Sequence, residues 1–221
     1  MTGRLVVLAS GSGTNLQALI DAVAAGQIQA EVTKVIVNRR GAPARERARR
    51  AGIPEECRLL GPYIEGDPDP LAARHRYDAD LADAVAAGRP DLVVLAGWMH
   101  LLSMAFLDRF PKQVINLHPA LPGMFPGANG IQDTWAAYRA GEVTSAGVMV
   151  HYVVDEGVDD GPVITSEEIP IHSDESIEIL TERIHRVEHR LLVDAVTTLL
   201  EERPQTRRAL STPEGYLSAN T

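Results

Sequence analysis

Hydrophobic positions follow two rhythms along this chain. Residues 4–9 and 91–96 are short unbroken apolar runs, the mark of strands buried on both faces of a parallel sheet. Residues 31–37, 55–60, 146–154 and 163–169 read as further strands or extended segments. Between them the spacing changes to three and four. Leu16, Leu19, Ile20 and Val23 mark a helix, residues 43–50 a basic solvated helix stopped by Gly52, and residues 132–140 a helix ending at Gly141. Residues 71–87 make another, with Tyr77, Leu81, Ala84 and Val85 on one face and Gly88 as its stop. Ser103 is placed to cap a short helix carrying Phe106, Leu107 and Phe110, and residues 61–70 read as a loop. Ile177, Leu180, Ile184, Val187, Leu191, Ala195 and Leu199 predict a long helix over 174–202, with Ser173 or Asp174 as N-cap. Alternating strands and helices predict an α/β fold: one domain over 1–203 with a doubly wound, mostly parallel sheet and a long C-terminal helix, followed by a polar tail over 204–221.

Polar residues inside apolar elements are the candidates for chemistry. In Val114-Ile115-Asn116-Leu117-His118-Pro119, strand alternation puts Asn116 and His118 on one side, and Pro119 ends the ladder. A carboxamide beside an imidazole at a strand mouth suits oxyanion stabilisation and proton transfer; a buried pair satisfied by a loop would look the same. Ser10-Gly11-Ser12-Gly13-Thr14-Asn15 lies between a strand and a helix. Such a turn either binds a phosphate through the N–H groups of Gly13, Thr14 and Asn15 or simply turns the chain. It lacks the lysine of a nucleotide P-loop and the third glycine of a dinucleotide fingerprint. Gly97-Trp98-Met99-His100-Leu101-Leu102 follows a strand, where its apolar groups could sandwich a planar ring or merely pack. Glu188 falls about 40° from Ile184, within the apolar stripe, where a carboxylate needs a partner. That partner is a substrate amine or hydroxyl, or an arginine such as Arg183 or Arg190. Arg74, near a helix start, reads on its own as an exposed charge. His185-Arg186-Val187-Glu188-His189 matches a metallopeptidase pattern, but three fixed residues recur by chance, and zinc would not account for the turn or for Asn116 and His118.

Composition narrows the function classes. A formal net charge of −9 and a pI of about 5.2 argue against a nucleic-acid partner, though a local nest of N–H groups can still hold a phosphometabolite. Cys57 is the one cysteine, so an internal disulfide is ruled out and a reducing compartment, the cytoplasm, is expected. No apolar run approaches the roughly 18 residues of a membrane span, and the first strand begins too early for a signal peptide.

Together these segments resemble the phosphoribosylglycinamide formyltransferases, folate-dependent enzymes of purine synthesis. The resemblance spans about residues 4 to 200. It rests on residues 9–18, on Leu95-Ala96-Gly97-Trp98-Met99, on residues 115–121 and on Asp159-Asp160-Gly161-Pro162, in that order. It implies formyl transfer from 10-formyltetrahydrofolate, as cosubstrate, to the amine of glycinamide ribonucleotide, with no metal. It implies Asn116, His118 and Asp159 as catalytic trio, Gly13, Thr14 and Asn15 on the substrate phosphate, and Glu188 on the same substrate. Arg74, Met99, His100, Leu101, Leu102, Val154, Asp155 and Glu156 match positions lining the formylfolate pocket. Two departures stand out: Trp98-Met99-His100 replaces a common Phe-Met-Arg, and residues 121–130 depart from the common Leu-Leu-Pro loop and lack its following histidine. Methionyl-tRNA formyltransferases and formyltetrahydrofolate hydrolases share the central motif, but usually carry an extra domain for which few residues remain. A non-catalytic phosphometabolite-binding protein would have no use for the trio. The expected partners are two small molecules, without nucleic acid or membrane; the sequence leaves the oligomeric state open, and a homodimer is compatible with it.

Overall fold

The computed structural model describes residues 2–210, with side chains described through Glu202. The chain runs β1 (Gly3–Ala9), α1 (Thr14–Ala24), β2 (Ala30–Val37), α2 (Ala44–Arg50), β3 (Glu55–Cys57), α3 (Gly61–Ile64) and α4 (Pro70–Ala86). It continues through β4 (Leu92–Leu95), α5 (Met104–Leu107), β5 (Val114–His118), α6 (Gly130–Arg139), β6 (Ser145–Tyr152), β7 (Val163–Pro170) and α7 (Ile177–Leu210). The strands form one sheet in the order β3-β2-β1-β4-β5-β6-β7. β3 to β5 are parallel, and β6 and β7 join antiparallel beyond β5. This is the doubly wound, mostly parallel α/β sheet expected from the pattern, with its long C-terminal helix.

The unbroken apolar strands are explained by helices on both faces of the sheet. Side chains alternate, so Leu5, Val7 and Ala9 of β1 pack with Leu16 and Leu19 of α1 and with Leu180, Ile184 and Leu191 of α7. Val6 and Leu8 face the opposite layer, with Tyr77, Leu81 and Val85 of α4 and with Phe106 and Phe110. The strand order reverses between β1 and β4, and the crevice at their carboxyl ends is where open α/β sheets bind ligands. Ser10 stitches that crevice. Its N–H donates to the Gly97 carbonyl at 2.9 Å, and its Oγ accepts from Met99 N–H at 2.8 Å.

Local details depart from the pattern. The segment expected as a loop over 61–70 contains a helical turn, α3, and β3 stops at Cys57 rather than reaching residue 60. Gly88 does not take the left-handed conformation expected of a helix stop; Arg89 does, at φ 49. Gly88 is required for a different reason, since a Cβ there would lie 2.5 Å from Val6 Cγ2. Ser103 occupies the N-cap position of α5 without capping it through its side chain. The Met104 N–H is instead taken by Glu156 Oε1 at 2.8 Å. α7 begins later than expected, and Ser176, not Ser173 or Asp174, accepts at its start, from Ile179 N–H at 3.5 Å. The helix runs to Leu210, so the tail expected from residue 204 lies partly within it and otherwise outside the described residues. Among the described residues, no helix is long and apolar enough to cross a membrane.

Candidate active site

The crevice holds a cavity of about 470 Å³, walled by the Ser10–Asn15 turn, the segment 95–102, the end of β5, the loop after β6, and one side of α7. Three of these walls come from strand ends, so the polar groups are fixed by the sheet rather than by loops alone.

Asp159 is the hub at its floor. Its Oδ1 accepts from Asn116 Nδ2 at 2.9 Å, and its Oδ2 accepts from Gly127 N–H at 2.8 Å and faces His118 Nδ1 at 3.2 Å. The second N–H of Asn116 points at His151 Nε2, 3.2 Å away, and His151 Nδ1 donates to the Tyr152 carbonyl at 3.0 Å. His118 Nε2 donates to the Phe125 carbonyl at 3.0 Å. Asp159 (φ 53) and Phe125 (φ 45) both adopt left-handed backbone, which side chains other than glycine rarely take. Local strain thus coincides with the polar cluster, as it tends to at working sites.

Electrostatics separates the members. Burial acts to raise the Asp159 carboxyl, but the His151 side chain, whose Nε2 lies 3.5 Å from Oδ1, the Gly127 N–H and the nearby His118 outweigh it and hold the group below its usual range. For His118 burial is the larger effect, holding the imidazole below the ordinary histidine value while Asp159 works against it. The ligand-free site therefore pairs an ionised carboxylate with a histidine poised to accept a proton.

Elsewhere in the cavity lining, Gly13 (φ 71) is the N-cap of α1. A Cβ there would sit 2.7 Å from Ala44 Cβ, so the turn packs against α2 with room for glycine alone. Arg47 Nε holds the turn by donating to the Ser12 carbonyl at 2.8 Å. The first N–H groups of any helix lack intrahelical acceptors, and here those of Thr14 and Asn15 open the helix beside the cavity. Asn15 Nδ2 donates to Glu188 Oε2 at 3.3 Å, which joins the turn to α7.

Glu188 is 6% exposed. Its partner is neither arginine weighed above: Arg183 pairs with Glu175 at 2.7 Å, and Arg190 is taken up by Glu167. Burial pushes its carboxyl up to about 7 from 4.5, opposed only by the Asn15 amide. The folded value lies above the unfolded one, so this group's stabilising contribution is complete below pH 4.5 and is lost as pH rises through about 7. Glu188→Gln is expected to match the parent's stability near pH 5 and to exceed it at pH 8 by on the order of 3 kcal/mol. Urea melts at the two pH values check this, and equal differences at both would refute it.

The cavity brings together Gly13, Thr14, Asn15, Met99, His100, Leu101, Leu102, Asn116, His118, Asp155, Asp159 and Glu188. Arg74, Val154 and Glu156 stand outside its lining. Arg74 lies over the Tyr77 ring, pairs with the fully buried Asp78 at 3.1 Å and donates to the Leu101 carbonyl, so it braces the 98–103 segment. His151 and Arg39 line the cavity but were missed. A signal for His151 was present, as a lone histidine within the apolar run 146–154. Among the described residues no cluster of three or more His, Cys, Asp or Glu is arranged to hold a metal ion.

Known proteins share this chain's pattern. A family model described as formyl transferase matches residues 3–196. The phosphoribosylglycinamide formyltransferase of Schizosaccharomyces pombe is 45% identical over 207 residues, covering 91% of this chain and 99% of that protein. Its Escherichia coli K12 counterpart is 35% identical over 187 residues, covering 85% and 82%. The crystal structure of glycinamide ribonucleotide transformylase 1 from Symbiobacterium toebii matches with a TM-score of 0.81 at 39% identity, covering 91% of this chain and 89% of that one.

Proposed function

Since the chain belongs to the formyl transferase family, we propose that it transfers the formyl group of 10-formyltetrahydrofolate to the amine of 5'-phosphoribosylglycinamide, a step of purine synthesis. The observation that carries this reading is that one cavity is lined by a glycine turn fit for a phosphate, an apolar segment fit for a planar ring, and Asn116, His118 and Asp159.

The ribonucleotide phosphate binds the N–H groups of Gly13, Thr14 and Asn15, and Glu188 meets the same substrate. The folate lies against residues 99–102 and the loop carrying Asp155. The neutral amine attacks the formyl carbon, forming a new C–N bond as charge develops on the formyl oxygen. Asn116 stays anchored by its N–H to Asp159 and turns its second N–H from His151 to that oxyanion. The proton shed by the attacking nitrogen is taken up at His118 Nδ1, the ring nitrogen not donating to the Phe125 carbonyl, and the imidazolium is stabilised by Asp159 Oδ2 at 3.2 Å. The proton then passes to N10 as the C–N10 bond breaks, directly or through water, giving N-formylglycinamide ribonucleotide and tetrahydrofolate. Protons only change place and no water is activated as nucleophile, so the chemistry calls for no metal. Both partners are small molecules of the cytoplasm.

The test is to follow tetrahydrofolate release spectrophotometrically with and without glycinamide ribonucleotide. Release strictly dependent on the ribonucleotide is expected; release without it would mark a hydrolase instead.

A further inference from the structure

Glu188 is the one member of the cavity wall whose charge state conflicts with its task. It is almost wholly buried, and the Asn15 amide is its single hydrogen-bond donor among the described residues. On its own helix Arg183 is paired with Glu175, Arg190 with Glu167, and Arg186 donates to the Glu182 carbonyl, while Arg47 of α2 donates to the Ser12 carbonyl and to Gln17. His185 and His189, one turn before it and next to it, are both held below the ordinary histidine value by burial, so neither supplies a compensating charge near neutral pH. Among the described lining residues the remaining arginine is Arg39, against the carboxylate of Asp159, which its partners hold below its usual range. The Asn15 that touches Glu188 also opens the phosphate turn. An ionised Glu188 would therefore stand buried without a cation, beside the turn that takes the incoming phosphate dianion, and both effects disfavour it.

We propose that Glu188 meets the phosphorylated substrate as the neutral carboxylic acid and donates its O–H to it, so that ionisation of this side chain weakens binding of the phosphoribosyl group. The proposal rests on the formyl-transfer reading above and deepens it, since it makes the site select a phosphomonoester in a proton-linked way. The buried carboxyl titrating near 7 supports it. A protonated acid offers a donor that a carboxylate lacks, and an amide in its place keeps that donor at every pH.

The test compares the parent protein with Glu188→Gln. If the neutral form alone binds, KM for the ribonucleotide in the parent rises about 10-fold by pH 8 and about 100-fold by pH 9 relative to the acid side. The ratio of parent to variant KM cancels titration of the substrate's own amine and phosphate. That ratio is expected to climb with pH, while the ratio for 10-formyltetrahydrofolate stays flat. A second measurement does not need turnover. Calorimetry of ribose 5-phosphate binding at pH 8 in two buffers of different ionisation enthalpy is expected to show uptake of close to one proton by the parent and none by the variant. A flat ribonucleotide ratio, no uptake by the parent, or equal uptake by Glu188→Gln would overturn the proposal alone. Absence of formyl transfer at every pH would overturn the functional reading and the proposal with it.

Discussion

Asp159→Asn is expected to lower kcat for formyl transfer by about 10²–10⁴, the range for losing a placed acid–base partner. Both carboxylate oxygens are acceptors in the structure, Oδ1 for the Asn116 amide and Oδ2 for the Gly127 N–H. An asparagine has one acceptor oxygen, so either orientation of its amide sets an NH₂ against one of these donors. The charge that offsets burial of a protonated His118 is lost as well. The backbone is not the cause of the expected loss, because asparagine tolerates the left-handed conformation at φ 53 as well as aspartate does. Steady-state kinetics beside a thermal melt makes the check. A folded variant retaining kcat within about tenfold of the parent would remove Asp159 from the chemistry.

Gly13→Val is the second large effect, and it should appear in binding. A β-branched residue at φ 71 costs about 1–2 kcal/mol of backbone strain, and its Cβ would lie 2.7 Å from Ala44 Cβ. The turn must shift away from α2, which carries the N–H groups of Thr14 and Asn15 away from the phosphate. Losing one charge-assisted hydrogen bond of about 1.5–3 kcal/mol corresponds to a rise of about 10- to 100-fold in KM for the ribonucleotide. KM for the folate, placed against residues 99–102 rather than on the N–H groups of Thr14 and Asn15, should change by less than about twofold. Equal weakening of both substrates would mean that the turn supports the whole cavity rather than the phosphate alone.

Why some features could be read from the sequence and others could not follows from the range of the forces involved. β1 was legible because burial on both faces demands an unbroken apolar run. Asn116 and His118 were legible as a pair because strand alternation sets both on one side without reference to any other segment. The glycine turn was legible for the same local reason, as was the placement of Glu188 inside the apolar stripe of α7.

The partners were not legible. Asn116 meets His151 because β6 pairs antiparallel with β5 in a register that sets the two residues opposite each other, 35 positions apart. Glu188 meets Asn15 across 173 positions, where helical geometry offered a substrate group or an arginine neighbour as its partner. Arg74 reads as a solvated charge until the fold brings Asp78 and the Leu101 carbonyl to it. Gly88 reads as a helix stop until β1 packs against it.

Apolar periodicity and turn chemistry, which act over a few residues, thus determined the elements, the glycine turn and the pairing of Asn116 with His118 on one side of a strand. Only the tertiary structure decided who holds whom, and with it the charge of Glu188 and the place of His151. Hydrogen bonds and desolvation depend on distances that strand register and helix packing create, and no local window of residues contains those distances.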